Sequence, residues 1–220
     1  MPSHHHAEPM IGPQRFEDRR DAGEQLAEEL RNREIDADVV LAIPRGGLPL
    51  GRAVADALDA PLDVVVAKKI GAPGNPEYAI GAVASDGSVW HNEEALHVMG
   101  VDSEYFERTR KIETKNARRK AERYRGERDT PDLAGKTVIL VDDGVATGST
   151  VRACLQRVRN ADAEPVILAV PVAPPRTIDA LETMADEVVC LETPSDFAAV
   201  GQFYDRFDQV SDEEAMAYLR

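Results

Sequence analysis

The chain alternates short, unbroken apolar runs with longer stretches whose apolar residues return every three or four positions. Runs at 39–43, 62–67, 138–141, 165–171 and 188–191 lack polar alternation, which predicts strands covered on both faces, as in a parallel sheet. From Phe16 onward, Ala22, Leu26, Ala27 and Leu30 share one helical face. Helices are likewise predicted at 50–58, 151–161 and 176–184, with a short one from Asp212. Residues 78–84 read as a further strand, and 88–91 pair with it across the Asp86-Gly87 turn. This alternation predicts an α/β chain: a doubly wound, mainly parallel sheet flanked by helices.

Sheets of that kind bind ligands at the carboxyl ends of their strands. There the run 138–141 gives way to Asp142 and Asp143, and then to Gly144, Val145, Ala146, Thr147, Gly148, Ser149 and Thr150. The glycines permit a loop whose N–H groups wrap an anion, and the hydroxyls add donors. The helix starting near Ser149 directs its positive end to the same place. Two carboxylates beside a phosphate cradle suit the hydroxyls of a sugar. In this order, after a buried strand, these residues resemble the phosphoribosyl-diphosphate (PRPP) binding motif of type I phosphoribosyltransferases. The resemblance implies that family's fold, with a hood loop and a C-terminal cap, and residues 142–150 as PRPP contacts. It also implies Mg²⁺ as cofactor, carried by PRPP without direct protein ligands, with Asp142 and Asp143 reaching it through water.

Strand 39–43 breaks at Pro44-Arg45-Gly46-Gly47. Arg45 supplies a fixed cation with several donors, and Gly46 and Gly47 let the backbone approach an anion. By the resemblance this is the pyrophosphate loop, with a cis peptide joining Pro44 to Arg45. Lys68 and Lys69 close the strand at 62–67, and with Arg45 they are the candidates for charge on the leaving pyrophosphate. Residues 71–77, Gly-Ala-Pro-Gly-Asn-Pro-Glu, have almost nothing to bury and read as a surface loop. The resemblance makes this loop the mobile hood that closes over PRPP. The tail concentrates Phe197, Phe203, Tyr204 and Phe207. These are either core or, with Val200, a wall that stacks on a planar base. Ala146 stands where 6-oxopurine enzymes of the family carry an aspartate as general base. Residues 170–174, Val-Pro-Val-Ala-Pro, lack the lysine with which those enzymes read the base. The acceptor therefore stays open, as a nitrogenous compound that includes the nucleobases.

At 220 residues the chain suits one substantial domain, read as 14–220 after a disordered leader at 1–13. The leader contains His4-His5-His6, native or a tag remnant. There is no run of about 18 apolar residues and no signal-peptide pattern. Cys154 and Cys190 are expected to be buried and unpaired, so the expectation is a cytoplasmic chain without membrane contact. The net charge of −14, with only six lysines among 26 basic residues, fits either a salt-rich cytoplasm or an ordinary acidic protein, and it repels nucleic acid. The stretch 103–128 runs against that balance: a long helix carrying ten basic and five acidic residues. It reads as a solvated face or a subunit contact of a homodimer or higher homo-oligomer, with RNA binding the rarer use. Two functions remain. One is an enzyme that moves the 5-phosphoribosyl group from PRPP to the acceptor with release of pyrophosphate, and the other is a non-catalytic PRPP-binding regulator or sensor. Intact Arg45, Lys68, Lys69 and hood favour the enzyme.

Overall fold

The structure, a computed structural model, describes residues 15–220, so the leader at 1–13 with its histidines lies outside the described residues. The central sheet contains β1 (Val39–Ala42), β2 (Leu62–Val64), β6 (Val138–Val141), β7 (Val166–Val172) and β8 (Glu187–Glu192). All pairings are parallel, in the order β2-β1-β6-β7-β8. A separate antiparallel sheet is made of β3 (Ala67–Ala72), β4 (Asn75–Ala84) and β5 (Val89–His91). The helices are α1 (Arg19–Asn32), α2 (Gly47–Ala57), α3 (Glu93–Met99), α4 (Ser103–Arg125), α5 (Ser149–Asn160), α6 (Pro175–Leu181) and α7 (Asp212–Ala217).

β1 shows why the strand runs are unbroken. Val40 and Ala42 join one core with Leu26 and Leu30 of α1 and Leu50 and Val54 of α2. Val39 and Leu41 join a second core with Val151 and Leu155 of α5. Alternate side chains thus enter different apolar layers, and neither face can be polar. From β1 the chain winds outward to β2, and from β6 it winds the other way to β7 and β8. The reversal between β1 and β6 is the switch point at which such a sheet opens a crevice beyond its strand ends.

The run 62–67 is not one strand. The Val65 N–H still donates to Ala42 O at 3.1 Å, whereas Val66 O accepts from the Ser85 N–H at 3.1 Å. The chain leaves the central sheet between them, so Lys68 and Lys69 open β3 instead of closing a core strand. Both valines are buried, so apolar character continues through the bend and hides it. The expected loop at 71–77 is likewise the tip of the β3–β4 hairpin, turning at Pro73-Gly74 with Gly74 at φ +73°. Its residues from Pro73 to Tyr78 are exposed. A strand pair with no apolar face at its end looks, in composition, like a loop.

α3 escapes the hydrophobic pattern because Ala95 is its one buried residue; Asn92 caps its start and left-handed Gly100 ends it. The long basic helix stops at Arg125, where Gly126 takes φ +62°. The tail folds back on the start of the described chain. The Phe16 N–H donates to Phe203 O and the Asp205 N–H to Phe16 O, each at 2.8 Å. Cys154 is buried, Cys190 is half-buried, and both are unpaired.

Candidate active site

The loops after β1 and β6 meet at the switch point. A side-chain carbon at Gly46 would lie 2.0 Å from Asp143 Oδ2, and one at Gly47 would lie 2.8 Å from Val141 O. Only glycine permits that approach. The Pro44–Arg45 peptide is cis, as the resemblance implied. The Arg45 guanidinium, half-buried, lies 3.8 Å from Asp212 Oδ1.

The loop after β6 is tied from outside. The Val145 N–H donates to Val172 O at 2.9 Å, and the Thr177 hydroxyl donates to Ala146 O at 2.8 Å. Gly148 takes φ +82° and leads directly into α5. The N–H groups of Ala146, Thr147 and Gly148 donate to no protein acceptor among the described residues. With the first turn of α5 they surround a cavity of about 200 Å³ that Asp142 and Lys69 also line. Fixed, unused donors at a helix start form an anion cradle. Gly144 has φ +149°, and a side-chain carbon there would stand 2.6 Å from Val200 Cγ1, so Val200 seals the loop from the C-terminal side.

The two acids differ in their neighbours. Asp143 Oδ2 accepts from Arg19 Nε at 2.9 Å, with side chains only 15% and 13% exposed. Arg19 is held in turn: its guanidinium lies 3.9 Å from the Phe207 ring centre, and its Nη1 donates to Asp208 O. Tyr204 donates its hydroxyl to Asp143 O at 2.6 Å. Asp142 Oδ1 accepts the Asp143 N–H at 2.8 Å, and the two carboxyl groups also interact with each other. Burial lifts the Asp142 carboxyl well above its ordinary range, and the Asp143 charge adds to the lift. Burial also raises Asp143, but there Arg19 opposes it. Asp142 has no ion pair among the described residues, and Arg19 acts on it only at a distance. Among the described residues no three His, Cys, Asp or Glu side chains cluster as a metal site.

The remaining candidates separate. Lys69 faces the loop cavity and donates to Glu77 O at 3.0 Å. Lys68, its neighbour in β3, lines a different cavity with Lys120, as strand alternation requires. They are not one paired contact. Phe203 is fully buried and Tyr204 2% exposed, so these two belong to the core instead of an exposed stacking wall. Phe197 stacks on Phe203 with ring centres 5.2 Å apart, and it stays half-buried, as does Val200. Arg19 was not among the expected site residues. Its one sequence signal is a basic residue opening a helix, where the dipole favours acids. A groove of about 980 Å³ between α1 and α2 is lined by side chains of both signs, among them Arg20, Glu24, Glu28 and Arg31. It has no backbone cradle.

Known proteins resemble the chain over most of its length. Two Mycobacterium tuberculosis proteins provisionally named phosphoribosyl transferases are 44% identical to the chain over 204 residues, covering 93% of it and 46% of their own length. The chain thus spans about half the length of these curated relatives. The crystal structure of TT1426 from Thermus thermophilus is 45% identical, with a TM-score of 0.81 over 94% of this chain and 98% of that one. The family model for the phosphoribosyl transferase domain matches residues 15–208, and the chain belongs to that family.

Proposed function

We propose that the chain transfers the 5-phosphoribosyl group of PRPP to a nitrogenous acceptor and releases pyrophosphate. One observation carries this reading: the unused N–H groups at 146–148 face a cavity that Asp142 also lines, at the crevice where the Arg45 loop meets the same strand end. A phosphate in the cradle puts its ribose hydroxyls beside Asp142 and its diphosphate toward Arg45. In the transition state the ribose becomes cationic and the diphosphate gains negative charge. Arg45 and Lys69 supply charge for the leaving group, and Lys68 acts from the far face of β3. PRPP would bring Mg²⁺, held through water by Asp142 and Asp143, and the ion would neutralise part of the diphosphate charge. Asp142, a half-buried carboxylate with no ion pair among the described residues, fits that arrangement. The β3–β4 hairpin is the hood that excludes water from the cationic sugar. Phe197 and Val200 remain the acceptor contacts. Ala146 offers no side-chain base, so the acceptor loses its proton to water or to a group of its own.

The test is pyrophosphate release from PRPP and Mg²⁺ over a panel of purines, pyrimidines and other nitrogen acceptors. At least one acceptor should drive release well above spontaneous hydrolysis, and Arg45→Ala should lower that rate at least about tenfold. Tight PRPP binding with no acceptor-dependent release would make the chain a PRPP sensor instead.

A further inference from the structure

The phosphate loop runs straight into α5, and α5 packs on the second sheet, against β3, β4 and β5. Arg152, in the first turn of α5, lays its guanidinium over the Trp90 ring of β5, 4.9 Å from the ring centre. Its Nε is buried without a hydrogen-bond partner, and its side chain has no ion pair among the described residues. Burial alone holds the guanidinium below its ordinary range. A cation withheld from water and from acids finds its best neutral partner in an indole face. The same Nε lies 3.6 Å from where a side-chain carbon on Gly148 would stand, so Arg152 also rests against the turn from which the helix starts. Strand register links this contact to the loop cavity. Lys69 pairs with Ala82, and Ala82 with Trp90. Opposite residues of antiparallel strands share a face, so the three side chains form one row, its ends roughly 10 Å apart. Lys69 at one end lines the cavity, fully buried Ala82 leaves room for the helix, and Trp90 at the other end takes Arg152.

We propose that Arg152 and Trp90 are positioning residues: their contact fixes the second sheet on the phosphate end of α5 and so sets how far the Lys69 ammonium reaches into the loop cavity. Neither residue lines that cavity, so both act through Lys69. The other restraint on Lys69 is Glu77 O at 3.0 Å, on the exposed hairpin tip, and an exposed tip holds an amine less firmly than a buried row does. Farther along α5, Arg157 lies 3.6 Å from Asp86, and Asn160 donates to Ser88 Oγ at 2.9 Å. Those contacts grip the β4–β5 turn, away from the Lys69 row. This positioning rests on the PRPP reading for its ligand alone, since the contact itself belongs to the free protein.

The test uses the full chain and two readouts: the fluorescence of Trp90, the single tryptophan, and calorimetric titration of PRPP with Mg²⁺ and, separately, of inorganic phosphate. In the free protein, Arg152→Ala should move the Trp90 emission to longer wavelength, because the half-buried ring loses its cover. Unchanged emission overturns the proposal whatever the ligands do. Arg152→Ala should weaken PRPP binding about tenfold by misplacing the amine, and Arg152→Ala/Lys69→Ala should bind no more weakly than Lys69→Ala alone, as expected of residues that act as a unit. Trp90→Phe, which keeps a ring for the cation, should stay within about threefold of wild type. Arg157→Ala should lower the Tm yet leave affinity within about twofold, since its contact lies off the Lys69 row. If Arg152→Ala does not fold, Arg152→Met, which keeps the apolar stem, carries the same comparisons. Additive losses in the double variant, or an equal loss in Arg157→Ala, overturn the proposal while tight PRPP binding by wild type leaves the PRPP reading standing. The coupled pattern with phosphate, but no binding of PRPP, overturns the PRPP reading and supports the positioning. Wild type that binds neither ligand overturns both.

Discussion

At the scale of single residues, Arg19 is ion-paired with Asp143 at 2.9 Å, while Asp142 has no ion pair among the described residues. Because burial raises the Asp142 carboxyl in the folded state, its contribution to stability is present below the ordinary carboxylate range and lost as pH rises through the raised value. At neutral pH the ionised side chain therefore costs stability. Asp142→Asn should raise the Tm of the free protein at pH 7 by a few degrees, roughly 1 kcal/mol, with the gain shrinking towards pH 4. The same substitution should weaken stabilisation by PRPP. Asp143→Asn should do the reverse to the fold, lowering stability by about 2 kcal/mol because Arg19 loses its charged partner. Thermal melts of both variants across pH check the pair, and equal shifts of one sign would refute the distinction. The acids, the hydroxyls and the glycines of the loop were legible in sequence because their order is itself a chemical pattern. Arg19 and Asp212 were not, since each reaches the site from an element distant in the chain, through contacts that only the folded tail creates.

Among the elements, strands and helices followed periodicity wherever a segment met an apolar layer on the face its pattern declared. β1, β6 and β7 were readable for that reason. The pattern misled where hydrophobicity and pairing part company, as at Val65 and Val66, which are equally buried but hydrogen-bonded into different sheets. The β3–β4 tip misled in the opposite way, being paired but exposed. Its geometry makes a sharp prediction. A side-chain carbon at Gly71 would stand 2.5 Å from Pro76 O, so Gly71→Ala should distort the hairpin. Pro73→Ala, at an exposed turn position, should leave the fold intact and lower turnover if the hood closes over PRPP. Circular dichroism and acceptor-dependent pyrophosphate release on both variants decide it. Loss of soluble protein with Pro73→Ala would make the tip a structural element.

For the molecule as a whole, the charge of −14 implies self-repulsion that salt screens, with a Debye length of about 3 Å at 1 M. The Tm should therefore rise by several degrees between about 0.05 and 1 M NaCl, and a steady fall would show that specific ion pairs outweigh the net repulsion. The doubly wound topology matters at this scale because it brings together two loops nearly a hundred residues apart at one switch point. The alternation of strands and helices made that fold class legible, whereas the second sheet, inserted between β2 and β6, was legible only as scattered short strands. What the loop at 142–150 holds decides the function. Calorimetric titration of PRPP with Mg²⁺ into wild type and Thr147→Ala/Ser149→Ala tests it most directly. One PRPP should bind per chain, at least tenfold more weakly in the variant because the cradle loses two hydroxyl donors. Equal affinity in the two proteins, or no binding to wild type, would contradict it.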